Sequence, residues 1–558
     1  MKGAAGVGMG TCDACTGNEP KRRAIYPPRW LDAALTPHND RMQKITRLVS
    51  HPLYSVAAIR QIEQQAAAAL PAHTLMQRAG LSVARLTLAL APHAELIWIA
   101  CGPGNNGGDG FEAAWHLHQW GKNVVVTWTG LPCGKSELPP DAQASRQRAL
   151  AAGVVMASEP PPGFDVCIDA LLGIGATLDP DRSGSALMQN WLDRMHASPA
   201  MRLSVDIPTG LQADTGAIPF KTATKSIAAS ARPACTRGLF TLSLLRLKPG
   251  LFTASGCDSA GEVWFDDLGV SQADITPAVQ PCAWLLGADR THPPLRTQSA
   301  QASHKGSFGD VAVVGGESTA ASHMSGAALL AARAALYAGA GRVFVALLGD
   351  APGLSVDTEQ PELMFRAPGA LDMAHQVIVC GCGGGEAVKS VLGNVLSTAR
   401  QAVLDADALN AIALDAQLQA QLKARKSRGY STVLTPHPLE AARLTAMTAA
   451  AIQADRLSAA RQLAERFQCV VVLKGSGTVI ACPDQLPMVN SSGNALLATA
   501  GTGDVLAGMV GAFLASGMDD FQAACSAVFV HGHRADSWAS SLPRQALTAS
   551  ALAKWQSL

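Results

Sequence analysis

Short, nearly continuous apolar runs alternate with segments of helical period along most of this chain. Leu96-Ile97-Trp98-Ile99-Ala100 is apolar on both sides of a strand, and similar runs fall at 123–128, 164–168, 201–205 and 240–244. Before the first of them, Leu75, Ala79, Val83, Leu86 and Leu90 recur on one helical face, with Thr74 and Gln77 at capping-box spacing. Strands without polar alternation are buried on both faces, so this order predicts a parallel sheet with helices on each side. A second series follows, with strands predicted at 311–315, 343–347, 376–380, 402–405, 432–434 and 469–473. Alanine-rich helices such as 325–338 separate them. Residues 286–303, rich in Pro, Thr, Ser, Gln and Ala, read as the connection. The expected organisation is an α/β chain of two domains, 51–285 and 286–558, after a loosely ordered extension at 1–50.

Length agrees with this division, because 558 residues exceed what one core holds. With 48% hydrophobic and 16% charged residues, large cores are expected and long disorder is not. A formal net charge of +1 supplies no field to recruit nucleic acid or an anionic membrane. The most apolar stretches, around 325–348 and 498–517, are broken by Arg333, Arg342, Asp504 and glycines, so no span is expected. No continuous apolar run of the signal-peptide kind opens the sequence. The 13 cysteines are scattered, and Cys12-x-x-Cys15 has no second pair at zinc-site spacing. Free thiols in a reducing cytoplasm are the expectation.

The first candidate site is Gly102-Pro103-Gly104-Asn105-Asn106-Gly107-Gly108-Asp109-Gly110, between a buried strand and a helix expected from near Phe111. It contains G-x-G-x-x-G, by itself a weak sign of a dinucleotide site. Asp109 at the helix N-terminus would oppose a pyrophosphate, and strand 123–128 ends without the acidic residue that holds a ribose. Asp169 and Asp206 follow two further predicted strands. Strand carboxyl ends in a parallel sheet face one crevice, where the three carboxylates could converge; singly, each also suits a helix or turn cap.

The runs 105–110, Asp169-Ala170-Leu171-Leu172-Gly173-Ile174-Gly175, Val205-Asp206-Ile207-Pro208-Thr209-Gly210 and Leu247-Lys248-Pro249-Gly250-Leu251 closely resemble the NAD(P)H-hydrate epimerase domain. The resemblance covers about 51–275 and implies a Rossmann-like three-layer sandwich. It implies that Asn105, Asn106, Gly107, Gly108, Asp109, Gly173, Ile174, Gly175, Ala176, Thr177, Leu178, Asp179 and Asp206 line the hydrate pocket. It also implies a potassium ion near Asn106, Asp169 and Thr209. Asp206 would then move protons during inversion at C6 of the hydrated ring. Against that family, residues about 218–238 read as an insertion.

The second candidate site centres on Gly501-Thr502-Gly503-Asp504, leading into an apolar helix at 505–516. Glycine amides at a helix N-terminus suit a transferring phosphoryl group, and an aspartate there would accept a proton from an attacking hydroxyl. A plain helix cap is the alternative. Lys474-Gly475-Ser476-Gly477-Thr478, after the strand near 469–473, is compatible with nucleotide phosphates without being a Walker A sequence.

Together these turns resemble the ribokinase-like fold. Ser303-His304-Lys305-Gly306, Met324-Ser325-Gly326-Ala327-Ala328, Pro361-Glu362-Leu363-Met364, Asp405-Ala406-Asp407-Ala408-Leu409-Asn410 and Thr435-Pro436-His437-Pro438 follow the order of NAD(P)H-hydrate dehydratases. The resemblance implies that Lys474 to Thr478 (Lys474, Gly475, Ser476, Gly477, Thr478) and Gly503 hold an adenine nucleotide. Ala327, Gly383, His437 and Asp504 would face the hydrate, although a histidine beside two prolines also suits a simple turn. Departures from that family are Gly381-Cys382-Gly383-Gly384-Gly385 in place of Gly-Pro-Gly-Leu-Gly, Leu439 in place of glycine, and a lengthened 317–323.

The combined resemblance implies a bifunctional enzyme acting on NADHX and NADPHX. One domain epimerises the R and S hydrates. The other dehydrates the S form with ADP and magnesium, Asp504 acting as base, and gives AMP and phosphate. Its partners would be small molecules, and a homo-oligomer is compatible with it. A small-molecule kinase, a non-catalytic nucleotide-sensing module and a simple dehydrogenase are the rival readings.

Overall fold

The computed structural model describes residues 42–131, 137–175, 178–179, 184–219, 238–294, 299–320, 322–350 and 354–555. Two of the pocket residues expected above, Ala176 and Thr177, lie outside the described residues, as does most of the insertion at 218–238.

The apolar runs form two α/β domains. In the first sheet, Leu96–Cys101 lies between Asn123–Trp128 and Val166–Ala170. Val155–Ala157 continues one side, and Met201–Val205, Leu239–Leu244 and Glu262–Asp266 continue the other. All these pairings are parallel, and Gln43–Lys44 adds an antiparallel edge. In the second sheet, Asp310–Gly315 lies between Arg342–Leu347 and Val377–Cys380. Beyond Val377–Cys380 come Gln401–Leu404, Ser431–Leu434 and Val470–Leu473, all parallel. Burial explains the lack of alternation: in Leu96–Cys101 every residue after the first is buried. In each sheet the chain first builds outward from a central strand and then crosses to its other side. The crevice at that reversal, between Leu96–Cys101 and Val166–Ala170 or between Asp310–Gly315 and Val377–Cys380, is where open α/β sheets bind ligands.

Several local expectations change. Thr74 is the first helical residue of Thr74–Leu90 and not its cap. His73 caps the helix at φ 68 without a side-chain bond, because the turn from Pro71 brings the chain in through a left-handed residue. The helix after the first glycine turn begins at Asn105, so Asp109 stands in its second turn. Gly107 is helical because it packs on Gly102, where a Cβ would come within 2.1 Å of the Gly102 carbonyl oxygen. Tertiary packing here overrides poor helix propensity.

The expected extension does not reach residue 50. Gln43–Lys44 pairs with Glu262–Asp266, and Ser50 bonds the Asp289 carboxylate through its amide (2.8 Å) and hydroxyl (2.7 Å). Nor does the boundary between sheets fall at 285. His51–Leu53 and Ala283–Leu286 both join the second sheet, next to Met488–Asn490. The expected connection is therefore anchored at its start, where Ser491 bonds the Leu286 carbonyl and the His292 amide bonds Ser526. Among the described residues no helix is long and apolar enough to cross a membrane.

Candidate active sites

A cavity of about 670 Å³ opens at the reversal point of the first sheet. Pro103, Gly104, Asn105, Asn106 and Asp109 reach it from the glycine turn and its helix, Leu171 to Gly175 from the end of Val166–Ala170, and Asp206 from the end of Met201–Val205. Gly107 and Gly108 are absent from the lining: both are buried in helix packing, Gly108 against Met76. Leu178 packs with the apolar cluster around Trp98 and Met188. Arg60, Glu63, Met76 and Met188 line the cavity without having been expected there.

The carboxyl groups sit in different surroundings. Asp206, at φ 67, ion-pairs with the fully buried Lys248 ammonium and accepts the Leu244 amide at 3.1 Å. That ammonium also donates to the Leu244 carbonyl at 2.8 Å and the Ser243 hydroxyl at 3.2 Å. Burial, opposed by Asp206, holds Lys248 below the ordinary lysine range. Asp109 is driven well above the carboxylate range, first by burial and then by the charges of Asp206, Glu63 and Glu112. It lines the cavity together with the ion-paired Asp206.

Asp169 faces Thr209 instead, accepting its hydroxyl at 2.7 Å and its amide at 3.0 Å. Burial raises Asp169 despite those bonds. Thr209 also accepts the Leu172 amide at 3.0 Å, next to Gly173, and Gly173 lies against the Asn106 side chain. Asn106 is buried, and its amide nitrogen has no hydrogen-bond partner among the described residues. The three residues expected around potassium thus adjoin one another through Leu172 and Gly173.

The second site assembles from the carboxyl ends of the second sheet and the first turn of helix Thr502–Ala515. Ligand atoms of Cys382, Asp405 and Asp504 lie within 4.8 Å of one another. Lys474 donates to Asp405 at 2.7 Å, and Thr435 donates to the same oxygen at 2.8 Å. Gly503 backs onto the Lys474 ammonium, and Gly383 lies against Ala327 and Met324. Burial and the Asp405 charge push Asp504 up to about 7, while the Cys382 thiol and Lys474 pull the other way. Burial works against the charge on Lys474, but Asp405 and Glu440 outweigh it and hold it above the ordinary lysine range.

His437 is a helix cap: its Nδ1 accepts the Leu439 and Glu440 amides at 3.1 and 3.3 Å, which leaves Nε2 3.2 Å from Glu440. Glu440 in turn lies 3.9 Å from Lys474. Lys248 and Asp405 fall within runs that carry the family resemblances, yet no sequence signal assigns them a role. Cys382 was visible only as a departure from the glycine pattern.

Comparison with known proteins agrees with this division. Residues 72–250 match the family described as YjeF-related protein N-terminus, and residues 311–556 match NAD(P)H-hydrate dehydratase. The bifunctional NAD(P)H-hydrate repair enzyme of Escherichia coli (strain K12) is 34% identical over 518 residues, covering 89% of this chain and 91% of that protein. Its counterpart in Coxiella burnetii is 33% identical over 496 residues, covering 87% and 94%. The ADP-dependent (S)-NAD(P)H-hydrate dehydratase of Neisseria meningitidis serogroup B is 44% identical over 243 residues, covering 42% of this chain and 79% of that one. The chain belongs to the family of bifunctional NAD(P)H-hydrate repair enzymes.

Proposed function

We propose that the chain restores hydrated NADH and NADPH in two steps. The first domain interconverts the R and S hydrates. The second dehydrates the S form at the expense of ADP, giving AMP and phosphate. The observation that carries this reading is Asp504, a largely desolvated carboxyl in the first turn of a helix, with Gly503 and the Asp405-bound Lys474 beside it. Helix amides and a lysine suit the transferring phosphoryl group. A carboxylate titrating at about 7 suits removal of the hydroxyl proton as that oxygen attacks phosphorus. Loss of phosphate from C6 together with a proton from C5 then restores the ring double bond.

In the first cavity, Asp109 as acid and Asp206 as ion-paired carboxylate supply the two protonation states that an inversion at C6 requires. A potassium ion fits the chemistry of Asn106, Asp169 and Thr209. Carboxylate, hydroxyl and amide oxygens suit a hard cation, and Asn106 with its amide turned would offer oxygen where its nitrogen now lacks a partner. Magnesium fits the second site only partly. Asp405 and Asp504 offer oxygens, but a thiol is no magnesium ligand and Lys474 already holds one Asp405 oxygen. We therefore assign the ion chiefly to the nucleotide phosphates. A reducing compartment suits the nine free cysteines among the described residues.

The test is recovery of dihydronicotinamide absorbance from mixed R and S hydrate with magnesium, potassium and either ADP or ATP. Complete recovery with ADP is expected. Recovery of the S fraction alone would remove the epimerase reading, and a stable phosphorylated product formed with ATP would replace the dehydratase by a kinase.

A further inference from the structure

A short run of chain links the two sites. Lys248, paired with Asp206 in the first cavity, opens the segment Lys248-Pro249-Gly250-Leu251-Phe252-Thr253-Ala254. The end of that segment lies against Gly475 to Gly477 of the second domain. The Ala254 amide donates to the Ser476 carbonyl at 3.1 Å, and the buried Thr253 hydroxyl donates to the Gly477 carbonyl at 3.1 Å. Gly477, at φ +60, presses so closely that a Cβ there would come within 2.0 Å of the Phe252 carbonyl oxygen.

Beneath the same loop lies the fully buried Arg456. Its guanidinium donates to the Thr253 hydroxyl at 3.2 Å, to Gln453 at 2.5 Å, and to the Leu473 and Lys474 carbonyls at 3.0 and 3.2 Å. No carboxylate pairs with it among the described residues, and a Cβ on Gly475 would be 2.9 Å from both terminal nitrogens. Burial lowers it only to about 10, so the charge persists at neutral pH.

These contacts have a directional consequence. The Lys474, Ser476 and Gly477 carbonyls all turn toward Arg456 or the first domain. In each trans peptide the following amide, that of Gly475, Gly477 or Thr478, then faces the opposite way. Amides gathered on one side of a loop, with an uncancelled cation behind it, make an anion-binding surface.

We infer that Thr253, a residue of the first domain, is a positioning residue for the adenine nucleotide of the second, acting with Arg456 to hold the 474–478 loop in its anion-binding shape. This rests on the reading of Lys474 to Thr478 as the nucleotide loop. The ligand class is the diphosphate of an adenine nucleotide.

The experiment uses the full chain and steady-state dehydration of S hydrate with ADP varied. Thr253→Val keeps the shape and removes the hydroxyl, so the KM for ADP should rise roughly fivefold, about the worth of one hydrogen bond, with kcat and the epimerase rate little changed. Thr253→Ser, which keeps the hydroxyl, should restore the KM. Equal increases in both variants would mark a packing effect and overturn the inference. Lys474→Gln separates the two levels of reading. If it raises the ADP KM while Thr253→Val does not, the cross-domain inference fails alone. If it leaves the KM unchanged, the loop is not the nucleotide site and both readings fall.

Discussion

Replacing Asp504 by asparagine tests the dehydratase base by stability as well as by activity. In the folded protein this carboxyl titrates at about 7, against an ordinary value of 3.8. Between those values the native state holds a proton that the unfolded chain has released. Stability therefore falls as pH rises through this window, and the loss is complete above about 7. At ~1.4 kcal/mol per decade of proton affinity, the span from pH 5 to pH 8 carries about 2.7 kcal/mol. Residual solvent contact reduces this to roughly 2 kcal/mol. Asparagine has nearly the same shape and no charge to desolvate, so it abolishes this pH dependence.

The assay compares melting midpoints of wild type and Asp504→Asn at pH 5 and pH 8. Subtracting one protein from the other cancels the other titrating groups. The variant should gain about 4 °C relative to wild type on going from pH 5 to pH 8, for a domain of this size. Dehydration should be lost while epimerisation continues. A difference between the proteins that stays the same at both pH values would refute the desolvation argument. Retained dehydration would refute the assignment of the base.

Three further outcomes follow from the same geometry. Asp206→Asn should lower epimerisation by about 10²-fold or more and leave dehydration of pure S hydrate intact, as read by separate assays of the two hydrates. The kcat/KM of dehydration should rise about tenfold per pH unit below about 7 and level off above it, because Asp504 must be ionised to accept a proton; Asp405→Asn removes a charge that raises Asp504 and should move that midpoint downward in the pH profile. Replacing potassium by tetramethylammonium should slow epimerisation without slowing dehydration, and an epimerisation rate insensitive to the swap would remove the ion from the Asn106, Asp169 and Thr209 site.

The sheets were legible in the sequence because parallel strands buried on both faces leave continuous apolar runs; Asn123–Trp128 and Met201–Val205 match the expected bounds, and Arg342–Leu347 differs by one residue. Strands such as Gln43–Lys44 and His51–Leu53 are too short to carry any period, so neither the first one's edge pairing nor the second one's place in the second sheet was legible. The Thr74 and Gln77 pattern satisfied a local rule that a left-handed His73 overrode. Aspartates at strand ends could be picked out because the parallel topology assigns every strand end to one side. Their partners could not: Lys248 lies 42 residues from Asp206, Lys474 lies 69 from Asp405, and Arg456 lies 203 from Thr253. Such pairs exist only once the tertiary fold brings the segments together.

The two sites share an electrostatic device although they belong to different domains. In each, a lysine is bound to one carboxylate, Asp206 by the buried Lys248 and Asp405 by the partly buried Lys474. A second carboxyl nearby, Asp109 or Asp504, is raised by burial and by the charge of the first. The lysine fixes the negative charge on its own partner, so the cost of a second charge in the same desolvated space falls on the other carboxyl. What differs is the extent. Asp109 feels Asp206, Glu63 and Glu112 against Lys248 alone and is driven well above the carboxylate range, whereas Asp504 is relieved by the Cys382 thiol and Lys474 and rises to about 7. In the proposed roles, Asp109 would deliver a proton and Asp504 would accept one near neutrality. If the device is the cause, removing the lysine should be felt at the second carboxyl of its site. Without Lys248, Asp206 loses its ion-pair partner and Asp109 loses a cation that lowers it. Without Lys474, Asp504 loses a relieving cation and its midpoint should climb above 7, which an upward shift in the pH profile of Lys474→Met dehydration would report.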